Sequence, residues 1–207
     1  DDALELTFDA RDVTAYYVKE MTPLRGGRGG GVVRGNSFTL NVESARVGDV
    51  AISRGEVSFP VFIPKWQPTY YRFTATGRAE SILGVLDQKP LLLLSKVNLS
   101  PDQFAGDARA VVEVMRPNKR DVPPDEYAYT GTATFENMTL NDLIGGIQIR
   151  NAEGEVDLRP RSLTVRADAS LAEDAPIEMV WRQNFFKEDG PSDITISGVF
   201  NSSAGDV

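Results

Sequence analysis

The 207-residue chain contains no cysteine and no histidine. Structural disulfides, Cys/His zinc sites and catalytic dyads or triads built on either residue are therefore excluded. The missing cysteines leave the compartment open, because many periplasmic proteins also lack them. No apolar run approaches the ~20 residues that a membrane-spanning helix needs. Basic residues are in the minority, 22 Lys and Arg against 30 Asp and Glu, for a formal net charge of −8. A nucleic-acid surface needs clustered cations to displace counterions, and so does broad attraction to anionic headgroups. No nucleic-acid partner is expected, and any lipid contact is expected to be mainly apolar. No signal peptide is visible. The chain opens on "DDALELTFDA", already a strand pattern, and ends on "NSSAGDV", which reads as a piece excised from a longer protein.

What is present is period-two alternation, many times over. Leu4, Leu6 and Phe8 share one face, and Phe38, Leu40 and Val42 another. Val57, Phe59 and Val61 follow, then Tyr71, Phe73 and Ala75, then Tyr127, Tyr129, Ala133 and Phe135. Leu163 to Leu171, Ile177 to Trp181 and Ile194 to Phe200 complete the set. One apolar and one polar face per strand marks antiparallel sheet wetted on one side. The fold class expected is mainly β, a repeated antiparallel sheet with a few short helices. Only "PLLLLSKV" at 90–97 is continuously apolar, as a bridge between sheets or a strand buried on both faces would be.

Helix is expected at "ESILGVLDQ" (80–88), "TLNDLIGG" (139–146, with Thr139 or Asn141 as cap) and "TAYYVKEMTPL" (14–24, halted at Pro23). "RGGRGGG" at 25–31 reads as a mobile loop or tight turn; it lacks the G-x-x-x-x-G-K-[ST] spacing of a phosphate loop. "RPNKRDVPPDE" at 116–126 reads as a linker, and "FKEDGPSD" at 186–193 as a hairpin loop. The expected organisation is a first part of the sheet over 1–116, a Pro-rich linker loop over 117–126 and a second part over 127–207. Three segments, opening near Phe8, Tyr71 and Tyr127, share a plan of strand, helix-prone dip, turn and longer alternating strand.

Other constellations carry weak chemistry. The acidic stretches "AEDAP" and "KEDGPSD" lack the spacing of a calcium loop and read as solvated hairpin ends. Asp125 and Glu126 are adjacent, so on a strand they would face opposite sides and make a poor glycosidase pair. Tyr16, Tyr17, Trp66, Tyr70 and Tyr71 would suit a sugar-stacking platform, but aromatics at sheet edges are common. No catalytic residue, cofactor or metal site is expected.

One ordered set of motifs stands out. "TGRAESILGVLDQKPLLLLSKVNLSPDQFAGDARAVVEVMRP" is followed by "YAYTGTATFENMTL" and later by "AEGEVDLRPRSLTVRADASLAEDAPIEMVWRQNF". This order of strand, helix, "P-L", strand and "tGtAtfeN" resembles the AsmA-like superfamily, nearest to its YhdP-type members. "DAPIEMVW", with Pro176 and Trp181, is similar to that family's "G-x-P-x-x-x-x-W", with Asp174 or Ala175 where the family has glycine. The resemblance covers roughly residues 3–200. It implies a sheet curled into an apolar, β-taco-like groove, as in bridge-like lipid transfer proteins. It implies a periplasmic protein of a diderm bacterium, anchored in the inner membrane and linked to phospholipid transport towards the outer membrane and to envelope integrity. The partner implied is a phospholipid or other acyl-chain ligand, with further envelope proteins as candidates. The candidate lining residues are the inward sets: Phe38, Leu40, Val42, Phe59, Phe73, Tyr129, Phe135, Leu163, Val165, Met179 and Trp181. The alternative is a closed β-sandwich, in which the same side chains would fill a dry core and the chain would serve as a scaffold or interaction module.

Overall fold

A computed structural model describes residues 4–142, 146–171, 175–184 and 192–198. Eleven strands form one antiparallel sheet in strict sequence order, and the sheet is not closed into a barrel. The strands are β1 (Glu5–Ala15), β2 (Leu24–Arg34), β3 (Ser37–Val47), β4 (Val50–Phe59), β5 (Pro68–Arg78), β6 (Phe104–Pro117), β7 (Ala128–Leu140), β8 (Ile149–Arg159), β9 (Ser162–Leu171), β10 (Ala175–Asn184) and β11 (Ser192–Gly198). Among the described residues there is one α-helix, α1 (Ala79–Leu86), and there are three short 3-10 turns. No described helix is long and apolar enough to cross a membrane.

The alternation sorts the two faces as the sequence pattern predicts. Outward positions bring opposite charges into register, as in Glu56, Arg72 and Glu113 across β4, β5 and β6. Inward positions form two principal apolar clusters, one around Val47, Val50 and Ile52 and one around Phe135, Ile149 and Met179. Ile149 is 1% exposed, and burying such a side chain contributes about 1.5–3 kcal/mol. The inward face is concave. Leu24 of β2 and Tyr127 at the foot of β7 border the same cavity, although five strand spacings would separate β2 and β7 by about 24 Å in a flat sheet. Bulges in β1, β7 and β8 add to the curl, each with an Asp or Asn in left-handed backbone: Asp12 (φ 54°), Asn137 (φ 51°) and Asn151 (φ 50°).

Several expectations are corrected. The glycine run 25–31 is not a loop but the body of β2. Neighbours press too closely for a side chain at two of its glycines: a Cβ at Gly29 would lie 2.0 Å from the Asn41 carbonyl oxygen, and one at Gly31 would lie 2.4 Å from Phe8 Cζ. Residues 90–97 are not a strand. Leu92 is in left-handed backbone (φ 49°), and the amides of Leu94 and Ser95 donate to the Asp87 carboxylate (2.9 and 2.8 Å) instead of to a neighbouring strand. Residues 16–22 form no helix, since tertiary anchoring of Val18 and Met21 overrides a marginal pattern. Thr139 and Leu140 belong to β7, where Leu140 pairs with Phe104 and Ile149. Residues 143–145, the rest of that expected helix, lie outside the described residues, as does most of the expected hairpin loop at 186–193. Residues 118–127 join β6 to β7, two hydrogen-bonded neighbours in one sheet. Of the three repeat dips, only 79–86 is helical among the described residues. The described strands all belong to one sheet and do not form the sandwich of the alternative.

Candidate functional site

The concave face is occupied in its middle by a plug made from the β5–β6 connection. α1 starts at Ala79, which is 1% exposed, and lays Ile82, Val85 and Leu86 against the wall. The chain then turns back, and the Asp87 carboxylate fixes the return. Besides the two amides, it accepts from Ser95 Oγ at 2.7 Å. Leu91, Leu93, Leu94 and Val97 are thereby held over the sheet. A second segment, 16–23, folds in beside them. Thr22 N donates to Gln88 Oε1 (2.7 Å), and Gln88 Nε2 donates to Thr22 Oγ1 (2.9 Å), so one amide side chain clasps the two insertions together. Arg116 Nη1 donates to the Tyr17 carbonyl at 3.4 Å.

The plug divides the trough into two chambers. The N-terminal chamber lies under β2–β6, is bordered by Tyr17, Val18 and Met21, and has a volume of about 90 Å³. The C-terminal chamber lies between the plug and β6–β10 and has a volume of about 180 Å³. Thr132 is the one hydroxyl, amide or charged side chain among the described residues lining it. Small residues set this volume: Ala108, Ala110, Gly131, Ala133 and Ala152 occupy the middle of the wall. Burial raises the Tyr17 hydroxyl from an ordinary value of 10.0 to about 12, because the phenolate would have to form in an apolar setting. Burial is also the main cause of the upward shift at Tyr71.

A third cavity, of about 300 Å³, opens beside the plug and is polar. It is lined by Lys96, Asp125, Tyr127 and Tyr129 between Pro90 and Pro160, with Leu91 at its base. Leu91 and Tyr127 also border the N-terminal chamber. At the free end of the strands an aromatic row crosses the wall. Phe8 stacks on Phe38 (6.0 Å between centroids), Phe38 meets Phe59 (5.7 Å), and Phe59 meets Phe62 and Tyr71. Beyond it the rim exposes Leu4, Ile63 and Trp66. Asn36 holds Ile63 with two hydrogen bonds, accepting from its amide and donating to its carbonyl.

The sequence-predicted lining residues divide among these places. Phe135, Leu163, Val165, Met179 and Trp181 line the C-terminal chamber together. Phe73 lines the N-terminal chamber and Tyr129 the polar cavity. Phe38, Leu40, Val42 and Phe59 share the inward face but border none of these cavities: Val42 is buried, Leu40 packs on it, and Phe38 and Phe59 belong to the aromatic row. The pattern missed the plug's own contribution, above all Leu86, Leu93, Leu94 and Val97. The available signal was the run "PLLLLSKV", whose lack of alternation already set it apart from the strands. It also missed the alanines, whose contribution is the space they leave empty. Among the described residues no cluster of His, Cys, Asp and Glu is arranged to hold a metal ion. No protein-family model, no curated protein and no solved structure matches this chain.

Proposed function

We propose that this chain binds lipid acyl chains in its β-groove, as a non-enzymatic segment of a periplasmic, inner-membrane-anchored protein that moves phospholipid towards the outer membrane. The observation that carries the reading is the C-terminal chamber, an open groove of about 180 Å³ with an almost wholly apolar lining. Each methylene removed from water contributes about 0.8 kcal/mol, so a tail of ~15 methylenes gains about 12 kcal/mol before the loss of its freedom is counted. Protein interiors are normally close-packed, and an apolar space of this size next to solvent is unusual unless something apolar enters it. The cellular setting rests on the resemblance in motif order.

Native mass spectrometry of the chain after bacterial expression tests the reading. Phospholipid or detergent should co-purify, and Val165→Glu, which puts a charge into the C-terminal chamber, should remove it while circular dichroism still reports sheet. Phe73→Glu probes the N-terminal chamber in the same way. If nothing co-purifies and the delipidated chain takes up no fatty acid, the proposal fails.

The rim favours a second reading, an interaction module in envelope assembly. Ile63 and Trp66 are 74% and 65% exposed on a loop fastened by Asn36, a feature typical of contact sites. Under that reading Ile63→Ser with Trp66→Ser abolishes partner binding, and Val165→Glu leaves it intact.

A further inference from the structure

We infer that the polar cavity beside the plug is a headgroup site for a zwitterionic lipid, one whose head carries both a phosphate and an ammonium. The inference rests on the acyl-chain reading above and adds the chemistry of the polar end. Its first support is position. The cavity shares Leu91 and Tyr127 with the N-terminal chamber. Lys96 comes two residues after Leu94 and directly before Val97, and Leu93, Leu94 and Val97 line the C-terminal chamber. A head seated here therefore has its tail beside apolar space on either side.

The second support is charge. Lys96 Nζ stands over the Tyr129 ring, 6.0 Å from its centroid, and forms no ion pair among the described residues. Asp125, in the β6–β7 connection, lines the same cavity and forms none among the described residues either. One cation and one anion thus face a common space without neutralising each other. A phosphate satisfies the lysine by a charge-assisted hydrogen bond. An ammonium satisfies the aspartate, and the neighbouring Tyr127 ring favours a cation further. A head with only negative charge meets repulsion from Asp125, and an uncharged head leaves both groups without a counter-charge.

The third support is preorganisation. Lys96 sits in the 3-10 turn Ser95–Val97, and the Asp87 carboxylate holds the start of that turn through three hydrogen bonds. The lysine is presented on fixed backbone, which lowers the ordering loss on binding.

Displacement of a fluorescent long-chain alcohol from the whole chain tests this. The competitors are dioctanoyl phosphatidylethanolamine and dioctanoyl phosphatidylglycerol, which have the same tails. The ethanolamine lipid should displace the probe at about tenfold lower concentration. Asp125→Asn should erase that preference by improving the glycerol lipid. Lys96→Gln should weaken both phospholipids by about fivefold. Both side chains are exposed, so both variants should fold and bind the alcohol normally. Equal affinity of the wild-type chain for the two lipids overturns the headgroup site and leaves the acyl-chain reading standing, as does a preference that survives both substitutions. Failure of the alcohol to bind the wild-type chain overturns the acyl-chain reading, and this inference with it.

Discussion

The chambers on either side of the plug share Ile82, Leu86 and Val112 and belong to one continuous wall, yet they differ in kind. Under β2–β6 the wall carries bulky side chains such as Val47, Val50, Ile52, Tyr71 and Phe73, and residues 16–23 fold in over them. Under β6–β10 alanine and glycine stand at mid-wall between larger side chains such as Phe135, Met179 and Trp181, and the larger space is left unfilled. The same curl and the same strand order serve both halves. Capacity therefore comes from side-chain size at mid-strand and from where the chain tucks its own loops, not from the sheet's architecture. The N-terminal half shows how the trough is filled from within, and the C-terminal half shows it held open.

The comparison can be broken most completely at Ala133. Ala133→Trp should turn the open half into a filled one, lowering fatty-acid affinity by about a hundredfold in a fluorescence titration. The melting temperature should change little, because the ring enters existing space. Next in size is Gly31→Val, which strikes the filled half alone. Its Cβ collides with Phe8, and overpacking of this kind costs about 1–3 kcal/mol in urea unfolding; ligand uptake in the other half should be unchanged. Gln88→Ala removes both hydrogen bonds of the clasp. It should cost about 1 kcal/mol and speed hydrogen exchange at residues 16–23 more than anywhere in β6–β10. The smallest effect is set by pH. Tyr17 has a higher affinity for its proton in the folded state than in the unfolded chain. Its contribution is therefore whole below pH 10 and is lost as pH rises towards about 12. Alkaline unfolding followed by circular dichroism should be shallower in Tyr17→Phe.

The strands were legible because alternation survives wherever one face meets water, and Leu163 to Leu171 is the clearest case. β2 was illegible for the opposite reason: with glycine at five of its eleven positions there is no alternation to find, and its extended state is imposed by β1 and β3. The plug was half legible. α1 carried a short amphipathic signal, but the turn after it depends on Asp87 reaching forward to residues 94 and 95, a contact that no periodicity announces. The bulges at Asp12, Asn137 and Asn151 also escaped notice, although each uses a residue type that tolerates left-handed backbone. At the site, the C-terminal lining was found through its strands. The polar cavity was not, because Lys96, Asp125 and Tyr129 come from separate segments that only the curl of the sheet brings together.

Three rings on the inner wall lie directly across from glycines: Phe8 over Gly31, Phe73 over Gly55 and Phe135 over Gly154. A Cβ on each glycine would come within 2.4, 2.5 and 2.8 Å of the facing ring. At Gly154 the Arg166 carbonyl oxygen, 2.1 Å away, blocks a Cβ whatever the ring does, but at Gly31 and Gly55 the ring is the nearest obstacle, and the two members of those pairs divide a fixed allotment of room. Selection should treat them as couples: in sequences descended from this one, a shrunken phenylalanine should accompany an enlarged glycine, and the relief of the wall should outlast the identity of its tiles.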